Sequence, residues 1–351
     1  MISICMIVKN EENILEDCLK QLYPIGYEIV IIDTGSIDGT REIASRYTDK
    51  VYNYSWNNDF AAARNFAISK ASNEYIMMID GDEIVVSCDK AGLEDTIHKH
   101  PDGIGRLLVI SNYTRNGESY QTNSRISRLF SKELYHYEGR IHEQLEANET
   151  VTTGTVYDAP LHIHHGGYEG DIESRLKKTE RNINLLLEEL ADKGDDPYIL
   201  YQLGKSFYMR EDYLTSCEWF GKALYFDLDP RLDYVQDMVE SYGYALLNCE
   251  QYETAMGLLG VYDDFAVNAD FVYLIGLIYM NNAMFTESIA EFIKATKMSI
   301  YKMDGVNSYR AYYNIGVIYE CLGQADKAKA YYSKCGGYSL AISRIQEIQK
   351  L

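Results

Sequence analysis

Four glycines set the limits on the second half of this chain. Gly204, Gly243, Gly276 and Gly316 each follow a large residue, and each is followed three positions later by Phe207, Leu246, Tyr279 or Tyr319. Twelve positions beyond each glycine stands a small residue: Ser216, Ala255, Ser288 or Ala328. The glycines are 39, 33 and 40 residues apart. A unit of that length holds one helix, a turn and a second helix, and small residues at fixed offsets mark where the two helices cross. One such unit cannot bury its apolar face alone, so an all-α solenoid is expected over 197–351.

The first eighty residues follow another rule. Apolar runs at 2–8, 28–32, from Val51 and at 75–79 alternate with helical spacing at Ile14, Leu15, Cys18, Leu19 and Leu22, at 40–47 and at 60–71. That alternation predicts an α/β domain over 1–168, with a Rossmann-like, mostly parallel sheet covered on both faces. Further strands are expected at 105–110, 124–130 and 155–164. Over 169–196 the stripe Ile183, Leu186, Leu187, Leu190 predicts a connecting helix, which Asp195-Asp196-Pro197 ends.

The charge balance removes some partners. The net charge is −20, with 15 basic against 25 acidic residues in 1–168 and 18 against 28 beyond. Such even acidity argues against a nucleic-acid or anionic-membrane surface. No apolar run approaches the ~18 residues that span a bilayer. The start, MISICMIVKNEE, reads as a first strand and not as an export signal. Seven scattered cysteines without a C-x-x-C pair fit a reducing, cytoplasmic setting. Asn112-Tyr113-Thr114 and Asn148-Glu149-Thr150 are then chance matches to the glycan-acceptor pattern. The sequence leaves a homodimer open.

Ligands of parallel sheets bind beyond the carboxyl ends of the strands, where Asp33 and Asp80 stand. Asp80-Gly81-Asp82 places two acids one residue apart, able to share a divalent cation, and the glycine admits a ligand closely. Asp33-Thr34-Gly35-Ser36 makes a second acidic turn. Asp59 is placed to cap the helix that follows, and Arg64 lies in its first two turns, where a guanidinium can reach a phosphate. The segment 137–144 gathers Arg140, His142 and Glu143 around Gly139 and offers a general base. His162 and His164 are expected on one strand face and His165 on the other, with an imidazole supporting a cation at Asp82. No G-x-G-x-x-G or P-loop pattern is present.

CMIVKNEE, IIDTGSIDGT, WNNDFAAARN and MIDGDE together resemble the family-two glycosyltransferases of the GT-A fold. They are most similar to the bacterial branch fused to tetratricopeptide repeats, which the four-glycine pattern resembles. Y-x-G-R-I-H-E at 137–143 and H-x-G-Y at 165–168 extend the likeness. The resemblance implies a UDP-sugar donor with Mn²⁺ or Mg²⁺. By position, Val8, Asn10, Glu11 and Asp33 would line the nucleoside pocket, and Asp59 and Arg64 would lie near ribose and diphosphate. Asp80 and Gly81 would meet the ribose or a metal-bound water. Asp82 would bind the metal with His165, or failing it His164. These enzymes usually invert the anomeric carbon and need a base. Many relatives carry that base in a Glu-Asp pair before a helix, for which 100–168 holds no clear match, so Glu143, then His142, takes its place.

Members of this branch act on Ser, Thr or Cys side chains of flagellins or bacteriocins. The implied reaction therefore moves a hexose or N-acetylhexosamine to a peptide held by the repeats. Alternatives are a lipid-linked or polysaccharide acceptor, and a nucleotide-sugar-binding scaffold. A haloacid-dehalogenase-like phosphotransferase would carry its acids after the first strand, and a nucleotidyltransferase would need a Gly-rich basic loop there. Neither matches.

Overall fold

The computed structural model describes residues 1–115, 118–148, 155–165 and 172–349. Gly166-Gly167-Tyr168 and Glu149-Thr150 lie outside the described residues. Two compact units are present, 1–189 and 190–351.

In the first unit β1 (Ile2–Val8), α1 (Leu15–Leu22), β2 (Glu28–Asp33), α2 (Thr40–Ala44), β3 (Val51–Asn53), α3 (Phe60–Lys70) and β4 (Tyr75–Met78) follow the expected alternation. The sequence reading missed β5 (Glu83–Cys88) and α4 (Lys90–Lys99). β6 (Ile104–Arg115) and β7 (Glu118–Ser131) form an antiparallel pair longer than expected. β8 (Tyr135–Glu138) and β9 (Gln144–Ala147) make a separate two-stranded sheet, and β10 (Val156–His165) returns to the main one. Among the described residues the main sheet runs β3-β2-β1-β4-β7-β6-β10-β5. β1 is parallel to β2 and β4, while β7 runs antiparallel to β4.

Burial on both faces explains the unbroken apolar runs. Ile4 and Met6 of β1 pack with Leu15, Leu19 and Leu22 of α1, whereas Cys5 between them packs with Ala61 and Ala67 of α3. Each fully buried Leu or Ile contributes roughly 1.5–3 kcal/mol. The alanines let α3 lie close to the sheet and hold Arg64 near its carboxyl edge. α5 (Ile172–Lys193) belongs to this unit through Glu189. Ile183 and Leu186 are buried as expected, but Leu187 is exposed and Leu185 is buried instead.

The second unit contains α6 (Pro197–Met209), α7 (Tyr213–Ala223), α8 (Asp233–Asn248), α9 (Tyr252–Ala255), α10 (Tyr262–Phe265), α11 (Ala269–Asn281), α12 (Phe285–Ala295), α13 (Tyr309–Cys321), α14 (Ala325–Tyr332) and α15 (Ser339–Ile348). Asp196 caps α6, accepting from the Tyr198 and Ile199 amides, and Pro197 takes the first helical position. The repeated glycines lie where helices touch. A Cβ on Gly204 would come within 2.5 Å of Phe220, one on Gly276 within 2.7 Å of Phe292, and one on Gly316 within 2.5 Å of Tyr332. The small residue twelve positions on completes the crossing: Ser216 donates to the Gly204 carbonyl (2.8 Å) and Ser288 to that of Gly276 (2.7 Å). In the second pair, α9 gives way to a 3₁₀ stretch at Met256–Val261.

One buried acid in this unit carries a pH prediction. Burial raises the Glu240 carboxyl to about 7; Lys302 opposes the rise, and Asp270 and Asp237 add to it. Asn268 donates to Glu240 at 3.0 Å, while Asp237 accepts from Tyr201 and Lys205. Between its ordinary 4.5 and about 7, Glu240 is protonated only in the folded chain. Stability therefore falls as pH rises through that window, by about 3 kcal/mol, and levels off above it. Thermal unfolding at pH 5 and pH 8 should show the decline, and Glu240→Gln should flatten it.

Candidate active site

The segments that follow β1 and β2 are stitched together. Asn10 adopts a left-handed backbone (φ 55°), and its side-chain oxygen accepts the Ile37 amide at 2.9 Å. Its own amide donates to Ser36 Oγ (2.9 Å), and the Glu11 amide to Thr40 Oγ1 (2.7 Å). Asp33, 3% exposed at the end of β2, pairs in register with Val8 and accepts the Ser36 amide at 3.1 Å. A Cβ on Gly81 would lie 3.3 Å from Val8 Cγ1 and 3.5 Å from Glu11 Cγ, so the missing side chain lets residues 80–82 lie against both. The structure thus brings Val8, Asn10, Glu11, Asp33 and Gly81 together. Burial raises the Glu11 pKa, and the nearby Asp82 carboxylate adds to it.

Asp80 is clasped by two arginines. Arg64 Nη2 donates to its Oδ1 (2.9 Å) and Arg128 Nη2 to its Oδ2 (2.8 Å). Arg64 Nε also bonds Glu143, and Arg128 lies 3.5 Å from Glu83, whose other oxygen accepts the Asp80 amide at 2.8 Å. Burial disfavours the charge on Asp80, but Arg128 and Arg64 outweigh it and hold the carboxyl far below its usual range. Glu83 goes the other way: burial raises its pKa, Arg128 opposes and Asp80 adds to the rise. The Tyr137 ring lies 5.6 Å from the Arg64 guanidinium.

Asp82 stands apart from this lattice. Its Oδ2 lies 3.3 Å from Nε2 of His165, the last residue of β10, which pairs in register with Glu83. That hydrogen bond raises the His165 pKa against the opposing effect of burial. His164 faces the other side of the strand. Asp59 caps α3, accepting the Ala62 amide at 2.8 Å. His142 sits in a left-handed turn (φ 52°), and its carbonyl accepts from Gln144.

Arg128 and Glu83 were invisible in the sequence as site residues. The segment Ser124-Arg125-Ile126-Ser127-Arg128-Leu129 reads as a strand and gives Arg128 no partner. Its partner appears only once β7 lies beside β4, with Leu129 opposite Met77.

Residues 3–161 match the model of glycosyl transferase family 2, and 269–299 and 309–335 match the tetratricopeptide repeat. The N-terminal unit carries a family 2 glycosyltransferase domain. A TPR repeat-containing protein of Synechococcus elongatus is 29% identical over 231 residues, 64% of this chain and 56% of that protein. The SPbeta prophage-derived glycosyltransferase SunS of Bacillus subtilis is 28% identical over 224 residues, 62% of this chain and 52% of SunS. The chain spans about half the length of these curated relatives. Among solved structures, MamA of Desulfovibrio magneticus is matched over 46% of this chain and 88% of its own, at 22% identity and a TM-score of 0.39.

The glycosyltransferase domain offers a divalent cation two adjacent ligand atoms, Asp82 Oδ2 and His165 Nε2. Among the described residues no group of three or more His, Cys, Asp or Glu converges as a metal cage. A two-ligand set fits Mg²⁺ or Mn²⁺, which keep waters and take substrate phosphates as further ligands, and it does not fit structural zinc.

Proposed function

We propose that the chain transfers a sugar, a hexose or N-acetylhexosamine, from a UDP-linked donor to a Ser, Thr or Cys side chain of a peptide. The observation that carries the reading is the division of the Asp80-Gly81-Asp82 turn: Asp80 is engaged by two arginines, and Asp82 faces His165. Asp82 and His165 are the ligands proposed for Mn²⁺ or Mg²⁺, which when bound would offset the charge of the donor's diphosphate. Val8, Asn10, Glu11 and Asp33 are proposed to line the nucleoside pocket, with Gly81 keeping it open. Asp59, engaged as a helix cap, is proposed to flank the ribose side. Arg64 takes a positioning role in this reading, since its guanidinium holds Asp80 and Glu143.

The proposed reaction is a direct displacement. The acceptor oxygen or sulfur attacks the anomeric carbon as the bond to the diphosphate oxygen breaks, and the acceptor proton passes to a base. Glu143 is the proposed base, with His142 beside it as the second choice. Glu143 must share its contact with Arg64 to serve. The acceptor assignment rests on the resemblance to the repeat-fused branch and on the repeats themselves, whose stacked helices suit an extended peptide. The test is intact-mass spectrometry of a Ser/Thr/Cys peptide library incubated with the chain, Mn²⁺ and UDP-sugars. A sugar-mass gain on one peptide class supports the reading. Donor consumption with no peptide gain, alongside labelled lipid or polysaccharide, would replace the acceptor.

A further inference from the structure

A nucleoside diphosphate is strongly anionic, and the candidate site meets it with Glu11, Asp33, Asp80 and Asp82. The three arginines near these acids already face protein carboxylates, Arg41 lying 4.0 Å from Asp33. Arg64 binds Asp80 and Glu143, and Arg128 binds Asp80 and Glu83. Their guanidiniums neutralise protein carboxylates, so a donor's phosphates need other cations.

Helix α5 brings two. The Arg181 guanidinium lies 5.3 Å over the ring of Phe60, the first residue of α3, next to Asp59 and one turn ahead of Arg64. Its hydrogen bonds, 3.3 and 3.0 Å, go to the neutral side chain of Asn182, and no described carboxylate lies within 4 Å of it. The residue is exposed, and partial desolvation with no compensating acid beside it lowers its pKa. Lys178 lies three residues earlier on the same helix face. It is exposed, and its ammonium reaches near enough to Glu11 to favour that carboxylate's charged form. Glu11 in turn packs at the Gly81 turn. Arg181 thus lies beside the start of α3, next to Asp59, and Lys178 on the same helix is within electrostatic reach of Glu11.

We infer that Lys178 and Arg181 bind the diphosphate of the nucleotide-sugar donor, Arg181 through its planar fork and Lys178 as a point charge. The inference rests on the proposed donor chemistry and adds residues that neither the motifs nor the resemblance assigned. α5 is then part of the donor site as well as the connection to the repeats. It also gives the leaving group a positive environment that does not disturb the arginines around Asp80.

The test is calorimetric titration of the full chain with UDP and with UMP, both with MnCl₂ present, for the parent and for Lys178→Gln, Arg181→Gln, Arg181→Lys and the Lys178→Gln/Arg181→Gln pair. Thermal midpoints monitor folding. The paired variant should lose roughly 10- to 100-fold in UDP affinity while UMP binding changes far less, with Arg181→Lys recovering part of the loss. Unchanged UDP affinity in the paired variant overturns the inference and leaves the donor reading standing. Equal losses for UDP and UMP with a lowered thermal midpoint assign the helix a structural role and also overturn it. A parent that binds none of UDP, GDP, CDP and dTDP overturns the donor reading, and this inference with it.

Discussion

Asp82→Asn is expected to lower metal-dependent donor turnover by roughly a hundredfold or more, because it removes the one carboxylate of the turn that faces His165, the second ligand proposed for the cation. The fold should survive. Asp82 makes its described polar contact with His165 alone, at 3.3 Å, and an amide of the same shape can keep it. The substitution removes charge, not volume. Asp80→Asn should behave differently, since two buried guanidiniums would lose the carboxylate between them. Steady-state release of nucleoside diphosphate, with thermal midpoints measured alongside, separates the two. Equal losses of stability in both variants would deny the division of labour within the turn.

The second large effect is on stability. Arg128→Leu is expected to cost about 3–5 kcal/mol, because it leaves Glu83 and one face of Asp80 buried without their cation. The Arg128 side chain is only 11% exposed, and Glu83 only 3%. Water cannot replace the lost partner fully. Arg128→Lys restores the charge but not the fork, so an intermediate loss is expected. The chain has two tryptophans, Trp56 in the first unit and Trp219 in the second. Trp219→Phe leaves Trp56 to report unfolding of the first unit by urea. A loss below about 1 kcal/mol would mean that the lattice around Asp80 contributes little to the fold.

Much of this architecture was legible because it rests on local patterns. The strand–helix alternation, the acids at the ends of β2 and β4, and the glycine–small-residue offsets all lie within short windows. The glycine offsets were legible in detail, since Ser216 and Ser288 reach the very glycines twelve residues before them. What was missed depends on contacts far apart in sequence. β5 starts at a buried Glu83, which a hydropathy reading assigns to an acidic turn. Arg128 gains its meaning from the antiparallel placement of β7 beside β4. Lys178 and Arg181 sit on a helix whose spacing speaks of packing alone, and their neighbours Glu11 and Phe60 are more than a hundred residues away in the chain. Arg64 is the instructive middle case. Its position in the first turns of α3 suggested a phosphate, and the structure turns it toward Asp80 and Glu143.

The most direct measurement is nucleoside diphosphate release from a panel of UDP- and GDP-sugars, with Mn²⁺ or with a chelator, and no acceptor added. The account predicts release of UDP from one sugar, abolished by chelation and by Asp82→Asn. Release indifferent to chelation would contradict the role of the Asp82–His165 pair, and a chain that neither binds nor turns over any donor would contradict the whole reading.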